Sequence, residues 1–380
     1  MVHSNLSYWE SNTFFAAEVI IVGSGIVGLN AAITLKMLNP KIDVLILERG
    51  FLPSGASTKN AGFACFGSIS ELIEQEKLCG TAGLHQLISK RWKGLLKLRN
   101  LLGDKHISFC NYGGYELFNP LQAELASACV AKLSHFNTLI EDIVLQKNTY
   151  VTADQKIKSF GFRDVNVLIE NKLEAQINPG KMMKALLAKS AELGITILNN
   201  CKVEKIYSEN VKVRLQTNQG TFQCKKVLLA TNAFINDLLP DLPVTPGRGQ
   251  VMVTSPIPDL KLKGTFHYDK GYYYFRNIDG RVLLGGGRNL DFETEKTTQF
   301  GETAIVQQEL LRLLKEVILP ENNFEIEYKW SGIMAFGPQL APIIEAVKPN
   351  VFAAVRCNGM GIAIGSQTGE EAGKLIFREL

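Results

Sequence analysis

Apolar and polar positions change period several times along the chain, and the changes mark out its elements. Residues 19–22 and 44–47 are continuous apolar runs, the pattern of strands buried on both faces. Between them a helical pattern opens at a glycine turn and ends at Asn39-Pro40. Residues 69–102 space their apolar positions for helices, through Leu84, Leu87, Ile88, Trp92, Leu95 and Leu98. A strand pair turned at Gly113-Gly114 is expected over 108–118, a helix over 123–136, and extended segments at 165–168 and 175–177. Asn178-Pro179 breaks the chain before a helix that Gly194 stops, and a strand follows at 195–198. A hairpin-rich passage from Cys201 returns to a buried strand at 227–230. Over 246–328, β-branched and aromatic runs parted by Gly, Asp and Asn predict one antiparallel sheet, with a helix at about 303–317. A last buried strand at 351–355 leads into the final helix. In the lead-in, Tyr8, Trp9, Phe14 and Phe15 are expected to cover an edge of the core.

The first turn carries chemistry. Gly23-Ser24-Gly25-Ile26-Val27-Gly28 fits G-x-G-x-x-G between a strand and a helix, and the next strand ends in Glu48, with Arg49 after it. Gly23 serves the tight turn, Gly25 lets a pyrophosphate approach the backbone, and Gly28 lets helix and strand pack closely. The helix N-terminus offers free N–H groups and a partial positive charge to that phosphate. Glu48 can accept hydrogen bonds from a ribose diol. The motif implies a dinucleotide and leaves FAD and NAD open.

Composition narrows the class. With 380 residues, 46% of them hydrophobic, the chain can bury one large core or two medium ones. A net charge of +4 is too mild to imply nucleic acid. Seven scattered Cys without C-x-x-C fit reduced thiols in a cytoplasmic protein, and five His without ligand-like spacing predict no metal. No signal peptide and no spanning segment of about 18 apolar residues are expected.

The loop after Arg49, LPSGASTKNAGFACFG, is rich in small and hydroxyl residues, as suits backbone pressed on a ligand. Its run E-R-x-x-x-x-S-G-A-S-T-K-N-A-G-F resembles the segment after the first strand pair in the glycine oxidase/D-amino acid oxidase family of FAD enzymes, which includes sarcosine and gamma-glutamylputrescine oxidases. The resemblance implies flavin contacts from Ser57, Asn60, Ala61 and Gly62, an adenine contact from Val203, and a second pyrophosphate loop at Ala230-Thr231. It also implies an α/β fold, a Rossmann-like FAD domain interleaved with an antiparallel substrate sheet. The expected division is 1–85, 166–245 and 329–380 for FAD, and 86–165 and 246–328 for substrate.

A second glycine pattern, Gly359-x-Gly361-x-x-x-Gly365, is followed by too few residues for another nucleotide unit. By resemblance, Asn358, Gly359, Met360, Gly361 and Ile362 form a loop that aims the last helix at the flavin pyrimidine, where its dipole stabilises negative charge on the reduced ring. Met360 stands where the family often has His, and Arg356 is a candidate replacement.

In the run Tyr272-Tyr273-Tyr274-Phe275-Arg276, alternation sends Tyr273 and Phe275 to one face and Tyr272, Tyr274 and Arg276 to the other. By family position Tyr273 is the expected substrate contact. Trp330-Ser331-Gly332-Ile333-Met334 resembles a W-x-G-x-R-P segment whose Arg clamps the substrate carboxylate in glycine oxidases. Met334 cannot make that bidentate contact, and Arg248 is a candidate substitute. No Cys lies at 331–346, so the resemblance implies noncovalent FAD. The expected activity is oxidation of a C–N bond in an amine or amino-acid derivative by hydride transfer to flavin N5, with hydrolysis of the imine. Oxygen or another acceptor then takes the electrons. Oxidation of a 2-hydroxy acid, nonenzymatic flavin binding and NAD-dependent dehydrogenation are the alternatives.

Overall fold

A computed structural model describes residues 6–380. Residues 1–5, on which the reading of no signal peptide partly rests, lie outside the described residues. Two large sheets carry the fold. The first runs, in spatial order, Ile343–Lys348, Val351–Val355, Gly220–Leu229, Ala16–Val22, Val44–Leu47, Thr196–Leu198. All neighbours in it are parallel except the edge pair Ile343–Lys348 with Val351–Val355. Val44–Leu47 and Val351–Val355 are buried throughout, as continuous apolar runs require. An antiparallel hairpin, Val203–Ser208 and Val213–Thr217, pairs with the first half of Gly220–Leu229.

The second sheet runs Ile326–Phe336, Thr245–Thr254, Arg281–Gly286, Tyr273–Ile278, Thr265–Tyr268, Gly114–Phe118, Val167–Asn171, Tyr150–Thr152. It is antiparallel except where Thr265–Tyr268 meets Gly114–Phe118 in parallel. The chain therefore passes between sheets several times. Val167–Asn171 and Ile326–Phe336 both pair into the second sheet, so two exchange points expected at 165/166 and 328/329 fall later along the chain. Alternation identifies a strand but not its neighbour.

The strand pair expected over 108–118 is only half present. Gly114–Phe118 is a strand, but Asp104–Ile107 is a short helix ending at left-handed Ser108, and Cys110 makes a single bridge to Gln176. The helical stripe at 69–102 becomes one helix, Ile69–Leu102, broken at Gly80 by non-helical φ and ψ. Of the lead-in aromatics, Phe15 stacks on Phe222 at 4.5 Å, whereas Tyr8 and Trp9 are mostly exposed and meet each other edge to face. No helix among the described residues is long and apolar enough to cross a membrane.

Candidate active site

Between the two sheets lies a cavity of about 660 Å³. The glycine turn forms one wall. Gly23 adopts φ +104°, and a Cβ there would stand 2.8 Å from the Ala230 carbonyl oxygen. A Cβ on Gly28 would stand 2.0 Å from the Gly23 carbonyl oxygen, so only glycine lets Ile26–Leu38 pack so closely on the turn. Gly23, Gly25, Ile26 and Val27 line the cavity, with Glu48, Arg49, Ser57, Asn60, Ala61, Gly62, Val203, Ala230, Thr231, Asn358, Gly359, Met360, Gly361 and Ile362. Of the residues expected against the cofactor, only Gly28 is absent from the lining.

The polar groups of this wall fit a dinucleotide. Thr231 Oγ1 is buried without a hydrogen-bond partner among the described residues. The last helix, Gly361–Arg378, has no side-chain N-cap, and its first residues border the cavity. Such a helix end presents unpaired amides and a positive dipole to an anionic group. The Arg49 guanidinium stacks over Phe234 at 3.6 Å on the same wall. Glu48 departs from the simple expectation. Its Oε2 accepts from the Ser24 amide and hydroxyl at 3.0 and 2.7 Å, and its Oε1 from the Gly50 amide and Ser54 hydroxyl at 2.9 and 3.3 Å. A ribose hydroxyl at Glu48 must displace a serine hydroxyl, and the longer Ser54 bond yields more readily.

The expected substrate residues fare differently. Alternation holds on Tyr273–Ile278, but the faces are reversed relative to the expectation for Tyr273. Tyr273 and Phe275 are buried in the apolar core beneath the helix Ala304–Leu313. Tyr272 and Tyr274 line the cavity instead, and burial pushes the Tyr274 phenol up to about 12. Arg248 is consumed by a bidentate pair with Glu295 at 2.8 and 3.0 Å and does not border the cavity. Arg356 is buried and donates to the Pro243 and Ala341 carbonyls and to Gln339, so it pins a loop rather than replacing the missing imidazole. Arg276 donates through Nη1 to the carbonyls of Ala61, Gly62 and Ile177 at 3.1, 3.1 and 2.6 Å. Burial lowers its pKa to about 10. It fastens the small-residue loop to the second sheet. Met334 does line the cavity.

Arg288, unremarked in the sequence, also lines the cavity. It opens the one-turn helix Arg288–Leu290 after Arg281–Gly286. Its guanidinium lies 4.0 Å from the Phe336 ring centroid, 5.1 Å from Phe292 and 6.0 Å from Tyr272. No hydrogen bond or ion pair holds it among the described residues, and burial lowers its pKa. The sequence signal was slight: a basic residue closing the glycine run Gly285-Gly286-Gly287 reads as an ordinary turn. A second unexpected group is Cys65, Glu174 and His267, brought together from distant parts of the chain. Burial raises the Cys65 thiol. For His267, burial opposes the charged form, but neighbouring Cys65 and Glu174 outweigh it and the net shift is upward.

A sequence model described as FAD dependent oxidoreductase matches residues 18–375. A bifunctional ThiO/ThiG protein of Trichormus variabilis is 24% identical over 336 residues, covering 86% of this chain and 47% of the relative. The chain thus spans about half the length of that relative. Glycine oxidase from Geobacillus kaustophilus superposes with TM-score 0.75 at 21% identity, covering 96% of this chain and 95% of its own. L-proline dehydrogenase from P. horikoshii gives 0.75 at 19% identity, covering 96% and 94%. At these identities the structural likeness speaks for the fold.

Proposed function

Because the chain belongs to the FAD-dependent oxidoreductase family and is an FAD-dependent enzyme, we propose that it oxidises the C–N bond of an amine that carries a carboxylate. The observation that carries this reading is Arg288, a half-buried cation with aromatic neighbours and, among the described residues, no anion beside it. An unpaired charge partly withdrawn from water is costly. A carboxylate in the cavity supplies the missing partner in the planar, bidentate geometry that arginine favours. It takes over the role that Met334 cannot fill on Ile326–Phe336.

FAD, when bound, supplies the hydride acceptor. The flavin-facing residues are proposed to be those lining the glycine turn, the Ser57–Gly62 loop and the Asn358–Ile362 loop. The uncapped end of Gly361–Arg378 favours negative charge nearby. FAD is held without a covalent bond. The remaining residues position substrate. Arg288 grips the carboxylate, the protonated Tyr274 phenol offers a hydrogen bond, and Phe63, Tyr272 and Met334 make the wall apolar and exclude water. No residue is required to take the amine proton if the amine enters neutral.

Anaerobic mixing of the yellow protein with amines, amino acids and 2-hydroxy acids tests the proposal. Bleaching of the flavin by a carboxylate-bearing amine is expected. Bleaching by hydroxy acids alone would transfer the activity to C–O bonds, and bleaching by nothing would favour a binding protein.

A further inference from the structure

Cys65, Glu174 and His267 offer a thiol, a carboxylate and an imidazole whose ligand atoms all lie within 4.8 Å of one another, and all three residues are buried. The spacing is informative. His267 Nε2 stands 3.7 Å from Glu174 Oε2, too far for a good hydrogen bond, and Nε2 has no other partner among the described residues. A tetrahedral ion with bonds of about 2.0–2.3 Å separates its ligands by about 3.5 Å, so this gap suits an ion between the groups. Glu174 is already oriented, because its other oxygen accepts from the Phe66 and Gly67 amides at 3.1 and 3.2 Å. Phe63 packs edge-on against the His267 ring at 5.4 Å and fixes its tilt. The amide hydrogen bonds to Glu174 are a support that metal-ligating carboxylates commonly have.

We propose that Cys65, Glu174 and His267 form a zinc-class divalent cation site on the cavity wall. The thiolate and carboxylate together neutralise a dication, and a soft sulfur with an imidazole selects zinc over magnesium or calcium. The thiol proton of Cys65 and the imidazolium proton of His267 are both released to solvent on binding. Closing the set to about 3.5 Å between ligands moves no pair by more than about 1.3 Å. Cys65 and His267 both border the cavity, so the fourth coordination position opens onto it. The site is therefore of the open kind, taking a water or an incoming donor. Nothing in this inference depends on which bond the enzyme oxidises.

The test uses untagged, FAD-loaded protein dialysed against zinc chloride and then against metal-free buffer. Elemental analysis is expected to return one zinc per flavin. Zinc X-ray absorption is expected to show one sulfur at about 2.3 Å with nitrogen and oxygen neighbours at about 2.0–2.1 Å. Cys65→Ser should remove the sulfur neighbour and weaken zinc binding at least tenfold, as should His267→Gln for affinity. Cys357→Ser, which alters another cavity-lining thiol, should keep both. An unchanged flavin spectrum establishes that each variant is folded. Substoichiometric zinc, a shell without sulfur, or a sulfur that survives Cys65→Ser would each overturn the site.

Discussion

Replacing Arg288 by Met removes the proposed carboxylate grip while keeping most of the stem that packs on Phe336. Charged hydrogen bonds contribute about 1.5–3 kcal/mol each, and a buried bidentate pair about 2–5 kcal/mol in all. The desolvation of Arg288 is already borne by the free protein, since burial lowers its pKa there. The pair therefore falls in the middle of that range, about 3 kcal/mol, or roughly a hundredfold in affinity. Arg288→Lys keeps the charge but loses the planar fork and the ring stacking, and is expected to lose about tenfold. The assay is anaerobic stopped-flow bleaching against substrate concentration, which separates the dissociation constant from the limiting rate. A matched amine without the carboxylate should bind wild type and Arg288→Met alike. Adding Met334→Arg to Arg288→Met should recover part of the affinity, because Met334 lies two residues from Phe336 on the same cavity-facing strand. Wild-type affinity for the carboxylate substrate in Arg288→Met would refute the reasoning.

Gly28→Ala drives a Cβ to 2.0 Å from a backbone oxygen, so the variant should lose bound flavin, read as the ratio of absorbance at flavin and protein wavelengths. Normal flavin content would contradict the close packing. Arg276→Met leaves the Ala61 and Ile177 carbonyls without the donor they have in Arg276, while the Gly62 carbonyl keeps the Ile177 amide, and should cost about 2–5 kcal/mol, seen as a melting temperature lower by several degrees; an unchanged melt would mean water replaces the guanidinium. Tyr273→Phe, in the core, should leave substrate affinity within about twofold, whereas Tyr274→Phe, on the cavity, should weaken it by about 1 kcal/mol; the reverse order would reinstate Tyr273. Burial pushes the Cys357 thiol up to about 12, so at pH 8 only about one molecule in ten thousand carries the thiolate. The native holoenzyme should resist iodoacetamide at Cys357 until the pH is strongly alkaline, and acid precipitation should release all FAD into solution.

Local patterns carried much of the fold. The glycine turn, its flanking strands and the C-terminal loop were legible because each is a short stretch whose residues act on their own neighbours. Alternation correctly separated Tyr273 and Phe275 from Tyr272 and Tyr274. It could not say which pair faces the cavity, because that depends on the helix Ala304–Leu313 covering the other face. The partners of three arginines were hidden for a similar reason. Arg248 finds Glu295, Arg276 finds Ala61 and Ile177, and Arg356 finds Pro243, all through tertiary contacts. Arg288 stood out only once its ring neighbours and its lack of an anion were visible. Cys65, Glu174 and His267 have no ligand spacing along the chain; the strand Thr265–Tyr268, the residue after the strand Phe63–Ala64 and the residue before Ala175–Gln176 bring them together.

One cavity is proposed to hold FAD at the glycine turn and the Asn358–Ile362 loop while Arg288 takes the substrate carboxylate. A crystal structure of the FAD-loaded protein with acetate tests both halves at once. The flavin ring is expected against the start of Gly361–Arg378, with acetate in bidentate contact with Arg288. Acetate bound elsewhere in the cavity, with Arg288 still facing only its rings, would contradict it.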